Sequence, residues 1–115
     1  MPFLFWRDSQ GENHESEVGD QLVIGRSPDA HSHFDDHALY VADPHVSRQH
    51  ARIERTFRGY ELSDLQSSNG TRVNAGRLSG YHVLMDGDVI GVGGTIFTFR
   101  QHRPQSACRH IRTRC

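Results

Sequence analysis

The chain is 115 residues long, with 35% apolar residues, 11 glycines and a formal net charge of −1. That length holds one domain, and that apolar fraction suffices for one modest core and is too high for a disordered chain. The near-neutral balance gives no global case for nucleic acid or an anionic membrane as partner.

"MPFLFW" at 1–6 is apolar but is followed at once by "RDSQGENHESEVGD". It is too short for a secretory signal or a membrane span, and "PFLFW" reads as a first strand. Residues 8–20 carry Asp8, Glu12, Glu15, Glu17 and Asp20 without lysine or arginine, and read as an acidic loop. The folded domain is expected to run from 21 to 100. "QLVIGR" at 21–26 is a short apolar run that ends in a turn at "SPDA", and "LYV" at 39–41 is another, closed by Asp43-Pro44. "HARIER" alternates, with Ala51 and Ile53 on one face and Arg52 and Glu54 on the other. "FRGYELSD" resumes after Arg58-Gly59, which predicts a hairpin over 50–64.

"TRVN", "YHVLM" and "DVIGVG" follow at short intervals, and "TIFTFR" alternates Phe97 and Phe99 against Thr98 and Arg100. No window shows a helical period and no internal repeat is present. Short strands punctuated by glycine, Asp-Pro and Asn-Gly predict an all-β fold, a β-sandwich of roughly ten strands. Its core is expected from Leu22, Ile24, Ile53, Tyr60, Leu62, Val73, Leu84, Ile90, Phe97 and Phe99. Residues 101–115 hold four arginines, no acidic residue and both cysteines, Cys108 and Cys115. They read as an unfolded tail, and cysteines placed there cannot staple a core, so a reducing cytoplasm is the simplest compartment.

A sandwich gathers its loops at two ends, and binding chemistry concentrates there. Arg26 follows the strand "LVIG", with Gly25 allowing close backbone approach. Ser47 and Arg48 come after the Asp43-Pro44 turn, and Ser68 and Asn69 lie in "QSSNGTRVN" at 66–74. A phosphate dianion calls for a cationic fork plus hydroxyl and backbone donors from several directions. Arg26, Ser47, Arg48 and Ser68 supply that set if their three loops meet, and Asn69 offers donors and an acceptor to a peptide backbone. Singly, each has an ordinary structural reading: a solvated strand-end arginine, turn-capping serines, an Asn-Gly hairpin turn.

In their order and spacing, "GR" closing a strand, "SRQH" at 47–50 and "SSNGTRVN" resemble the forkhead-associated (FHA) domain. "LMDGDVIGVGGTIFTF" is similar to that family's closing strands, so the resemblance covers residues 21–100. It implies a β-sandwich of about eleven short strands with binding loops at one end. It further implies a phosphopeptide-binding module for phosphothreonine proteins, acting as a cytoplasmic signalling adaptor downstream of a Ser/Thr kinase. No cofactor, catalysis, nucleic acid or membrane is expected. By resemblance, Arg26, Ser47 and Arg48 would hold the phosphate, and Ser68 would touch the phosphate or shape a pocket for the threonine methyl. Asn69 would hold the peptide main chain, while Gly25, His50, Gly70, Thr71 and Asn74 would be structural. The segment between Arg26 and Ser47 is longer than the family's pattern, and its Asp29, Asp35, Asp36 and Asp43 are expected to repel acidic peptides.

Four other stretches suggest rival chemistries. "HSHFDDH" resembles the His-x-His-x-Asp-His motif of binuclear metal hydrolases, which would use His31, His33, Asp36 and His37. With Asp35 it has one residue too many, and such enzymes need a larger α/β scaffold. Ser47 and His50 as nucleophile and base would point to opposite faces of an extended strand, and no Gly-x-Ser-x-Gly elbow is present. "GVGG" at 91–94 precedes a strand rather than a helix and reads as a turn. The arginine-rich tail offers nucleic acid only weak, salt-sensitive attraction.

Overall fold

Alternating apolar positions give the central strands a buried face, and the strands form two six-stranded sheets. The computed structural model describes residues 2–8, 11–27, 33–34 and 37–101. In chain order the strands are β1 (Phe3–Arg7), β2 (Asn13–Glu17), β3 (Gln21–Arg26), β4 (His33–Phe34), β5 (Ala38–Val41) and β6 (Ala51–Thr56). They continue as β7 (Gly59–Asp64), β8 (Thr71–Val73), β9 (Gly76–Arg77), β10 (Tyr81–Val83), β11 (Val89–Val92) and β12 (Thr95–Arg100). One sheet has the order β2-β1-β12-β11-β8-β9, the other β10-β7-β6-β3-β5-β4. Among the described residues there is no helix, and so none long and apolar enough to cross a membrane.

The strand count exceeds the expected ten to eleven because β4 and β9 are two residues long and because the acidic stretch forms β2. That stretch was expected to be a loop. Its alternation is hidden because this edge strand carries polar side chains throughout, with Glu15 and Glu17 exposed, as charged residues on sheet edges commonly are. His14 stacks on Trp6 across the β1–β2 pair, with ring centroids 5.3 Å apart.

Of the expected core, Leu22, Ile24, Ile53, Leu62, Leu84, Ile90, Phe97 and Phe99 are buried, whereas Tyr60 and Val73 pack against the core's edge. Leu4, Trp6, Val18, Leu39, Val41, Val46, Ala51 and Val92 complete it. Leu4 and Trp6 bind the first strand into the sandwich, where β1 pairs with β12. β3 and β5 run parallel, the one such pairing among the described strands. A parallel neighbour requires a long crossover, which accounts for the extended segment between them.

Strand ends from both sheets converge through this topology. Arg26 pairs with Val41, so β3 and β5 finish side by side. Ala51 pairs with both Ile24 and Asp64, and Val92 with both Thr71 and Thr95. The 42–50 loop, the 65–70 loop and the 93–94 turn therefore share one end of the sandwich with Arg26.

Candidate functional site

The 47–50 segment is fastened from two sides. The Arg26 N–H donates to the Ser47 carbonyl at 3.0 Å, and the His50 N–H donates to the Ile24 carbonyl at 2.9 Å. Gly25 lies between them, pressed against Arg48. A Cβ there would sit inside the Arg48 carbonyl oxygen, and a backbone oxygen cannot swing aside. Glycine at 25 is therefore required by close approach.

His50 is fully buried. Its Nδ1 accepts the Ser47 N–H at 3.0 Å, so Nε2 carries the proton and donates to the Gly70 carbonyl at 2.8 Å. One imidazole thus bridges two loops. Both ring nitrogens are committed to main chain, which leaves neither to deprotonate the Ser47 hydroxyl. Residues 47–50 form a bend rather than the extended strand considered for the nucleophile reading. The ring braces the loop from beneath.

The 65–70 loop carries the chain from β7 in one sheet to β8 in the other. Asn69-Gly70 is consequently not a hairpin turn. The hairpin turn lies at Asn74 and Ala75, with φ of 51° and 72°, as a two-residue type I′ turn requires. Asn74 Oδ1 accepts the Val89 N–H at 3.0 Å and its Nδ2 donates to Asp88 at 3.1 Å, which ties the β8–β9 hairpin to β11.

Asp64 organises the loop. Its carboxylate accepts the Ser67 N–H at 3.0 Å, the Ser67 hydroxyl and the Thr71 hydroxyl at 2.7 Å, and Ser67 Oγ accepts the Gly70 N–H at 2.9 Å. Partial burial pushes the Asp64 carboxyl up, but the Ser67 and Thr71 hydroxyls and the Ser67 N–H outweigh it and hold the group below its ordinary value. A carboxyl depressed in the folded state stabilises fully above the unfolded value, about 3.9, and loses that stabilisation as pH falls through the lower folded value. Asp43 and Asp88 are lowered in the same sense. Acidification below about pH 4 is therefore expected to lower the melting temperature, and Asp64→Asn should shrink that drop without abolishing it. An identical pH profile in the variant, followed by circular dichroism, would count against this role.

Above this frame the loops touch through the predicted residues. Ser47 Oγ accepts the Ser68 N–H at 3.0 Å. With that lone pair used, the hydroxyl proton remains to donate outward. Asn69 Nδ2 donates to the His45 carbonyl at 2.7 Å, which leaves its second amide hydrogen and its oxygen exposed. The His45 turn is itself held by Asp43, whose carboxylate accepts the N–H groups of His45 and Gly94, each at 2.9 Å, and the Thr95 hydroxyl at 2.8 Å.

Arg26 and Arg48 are exposed beside Ser47, and neither forms an ion pair among the described residues. By contrast, Arg55, Arg58 and Arg100 each pair with a carboxylate, namely Asp20, Glu61 and Asp86. The end thus presents two free guanidinium forks, a hydroxyl donor and a side-chain amide. That set fits a phosphate dianion attached to an extended peptide.

Arg26, Ser47, Arg48, Ser68 and Asn69 are brought together, with Gly25, His50, Gly70 and Thr71 directly beneath. Asn74 lies at the far end of β8 and supports the fold there. Sequence reasoning missed Asp64 and Ser67, although an aspartate three residues before a serine in a polar loop is the signature of a side-chain-capped turn. Nor did it find that Asp43 accepts hydrogen bonds from His45, Gly94 and Thr95.

A family model described as FHA domain matches residues 22–93. The chain belongs to the FHA domain family. Its relatives include the FHA domain-containing protein FhaA of Mycobacterium tuberculosis, 34% identical over 95 residues, 83% of this chain and 16% of that protein. Transcriptional regulatory protein EmbR of the same organism is 38% identical over 65 residues, 56% of this chain and 17% of that protein. This FHA domain chain therefore spans about a sixth of the length of those relatives. A solved structure from a study of phosphothreonine-dependent FHA domain interactions superposes with a TM-score of 0.66 at 32% identity, covering 90% of this chain and 98% of that one. The hydrolase reading finds no support in these likenesses. Of its ligands, His31 and Asp36 lie outside the described residues, as do Asp29, Asp35 and the tail from 102, while His33 is in β4 and His37 is exposed just before β5.

Proposed function

We propose that this FHA domain binds phosphothreonine peptides of a partner protein and acts, without catalysis of its own, as a cytoplasmic adaptor downstream of a Ser/Thr kinase. Arg26, Ser47 and Arg48 hold the phosphate, Ser68 closes the pocket beside it, and Asn69 holds the peptide main chain. The observation that carries this reading is the bond from the Ser68 N–H to Ser47 Oγ. It joins two loops and leaves the Ser47 hydroxyl proton free to donate to a ligand at the end of the sandwich that carries Arg26 and Arg48. The phosphothreonine dependence described for the solved FHA domain interactions supports the same ligand class.

The test is calorimetry with one peptide sequence in three forms: phosphothreonine, phosphoserine and unphosphorylated. Burying the extra methyl contributes about 0.8 kcal/mol, roughly fourfold in affinity, in favour of phosphothreonine. The unphosphorylated form should show no saturable binding. Equal affinity for the two phosphorylated forms would sink the methyl pocket, and equal affinity for all three would sink the phosphate site.

A further inference from the structure

Arg72 and Arg77 stand directly opposite each other on β8 and β9. Like charges in a cross-strand pair repel and destabilise it. Neither forms an ion pair among the described residues, and Arg77 is exposed. Their heads are held apart by glycines. The Arg77 guanidinium lies over Gly70, with Nη2 3.2 Å from where a Cβ would stand. The Arg72 guanidinium lies flat over Gly91, where a Cβ would come within 2.7 Å of it, and Nη2 donates to the Gly93 carbonyl at 3.0 Å.

Those contacts fix where the two charges sit. Gly70 follows Asn69, and Gly93 packs on His45 and Val46. Arg77 therefore sits against the residue that follows Asn69, and Arg72 against the turn that packs on His45, whose carbonyl Asn69 holds, while Arg26 and Arg48 belong to the strand end and loop of the other sheet. Two carboxylates lie in the turn networks behind this rim: Asp43 is bonded to His45, Gly94 and Thr95, and Asp64 to Ser67 and Thr71.

We infer that Arg77, with Arg72 behind it, forms a second anion subsite that selects ligands carrying a carboxylate or a second phosphate group beside the phosphothreonine. The inference rests on the proposed phosphopeptide binding and adds a specificity determinant to it. An anion placed over Arg77 relieves the repulsion between the paired arginines and matches the planar fork of the guanidinium. Selection for acidic flanks is the opposite of the repulsion that the aspartates of the 27–45 segment led one to expect.

Calorimetry on the full chain tests this with phosphothreonine peptides whose flanks carry alanine, glutamate, a second phosphoserine or lysine, scanned along both sides. The parent should prefer a glutamate or phosphoserine flank over alanine by about fivefold or more at one or two positions. Which of the two gives the larger ratio identifies the source of the anion. Arg77→Gln should collapse that ratio, and Arg77→Glu should invert it in favour of the lysine flank, a reversal that a purely structural role would not produce. A ratio that survives in Arg77→Gln overturns the subsite. So does a parent that binds the alanine-flanked phosphothreonine peptide without acidic preference, and that outcome leaves the proposed function standing. A parent that binds no phosphopeptide overturns both.

Discussion

Replacing Arg26 with alanine is expected to weaken phosphothreonine-peptide binding by roughly 10- to 150-fold. Charge-assisted hydrogen bonds contribute about 1.5–3 kcal/mol, and about 1.4 kcal/mol corresponds to a decade in affinity. Folding should survive, because the side chain is exposed at the end of β3 and the main-chain bond from Arg26 to Ser47 does not depend on it. Arg26→Lys should recover binding only in part, since an ammonium keeps the charge and loses the planar fork. Arg55→Ala removes the same charge from a residue paired with Asp20 and controls for bulk attraction. Equal weakening by both alanine variants, in calorimetry on proteins shown folded by circular dichroism, would mean diffuse charge and no site.

His50→Ala should produce the largest loss of stability among the motif residues. It deletes a fully buried ring and strands the Ser47 N–H and the Gly70 carbonyl. Each stranded group costs about 1–3 kcal/mol, so roughly 2–6 kcal/mol in total is expected. For a domain of this size that lowers the melting temperature by at least about 10 °C. Binding should fall with it, because Ser47 and Ser68 lose their common brace. A melting temperature within about 2 °C of the parent's would show that the bridge between the loops is not a structural necessity.

The division of labour between these two residues was readable from the chain in part. Strands with one dry face announce themselves through alternation, as "HARIER" and "TIFTFR" do, and these became β6 and β12. β2 did not, because neither of its faces is strongly apolar, and its pairing with β1 is fixed by tertiary contact. "PFLFW" was legible as a first strand, but the places of Leu4 and Trp6 in the core follow from the pairing of β1 with β12. In the site, the residue types were legible in order and spacing, while their connections were not. No local rule states that His50 reaches Gly70, twenty residues on, or that Arg77 comes to rest over the same glycine. Those contacts exist because the 65–70 loop changes sheets, and sheet order is a property of the whole chain.

The most direct measurement is a titration of isotope-labelled protein with a phosphothreonine peptide, followed by amide chemical shifts. Binding at the proposed site predicts the largest saturable shifts at Arg26, Ser47, Arg48, Ser68 and Asn69, with Phe57 and Arg58 at the turn between β6 and β7 left in place. Saturable shifts centred on that turn, or none at any amide, would contradict it.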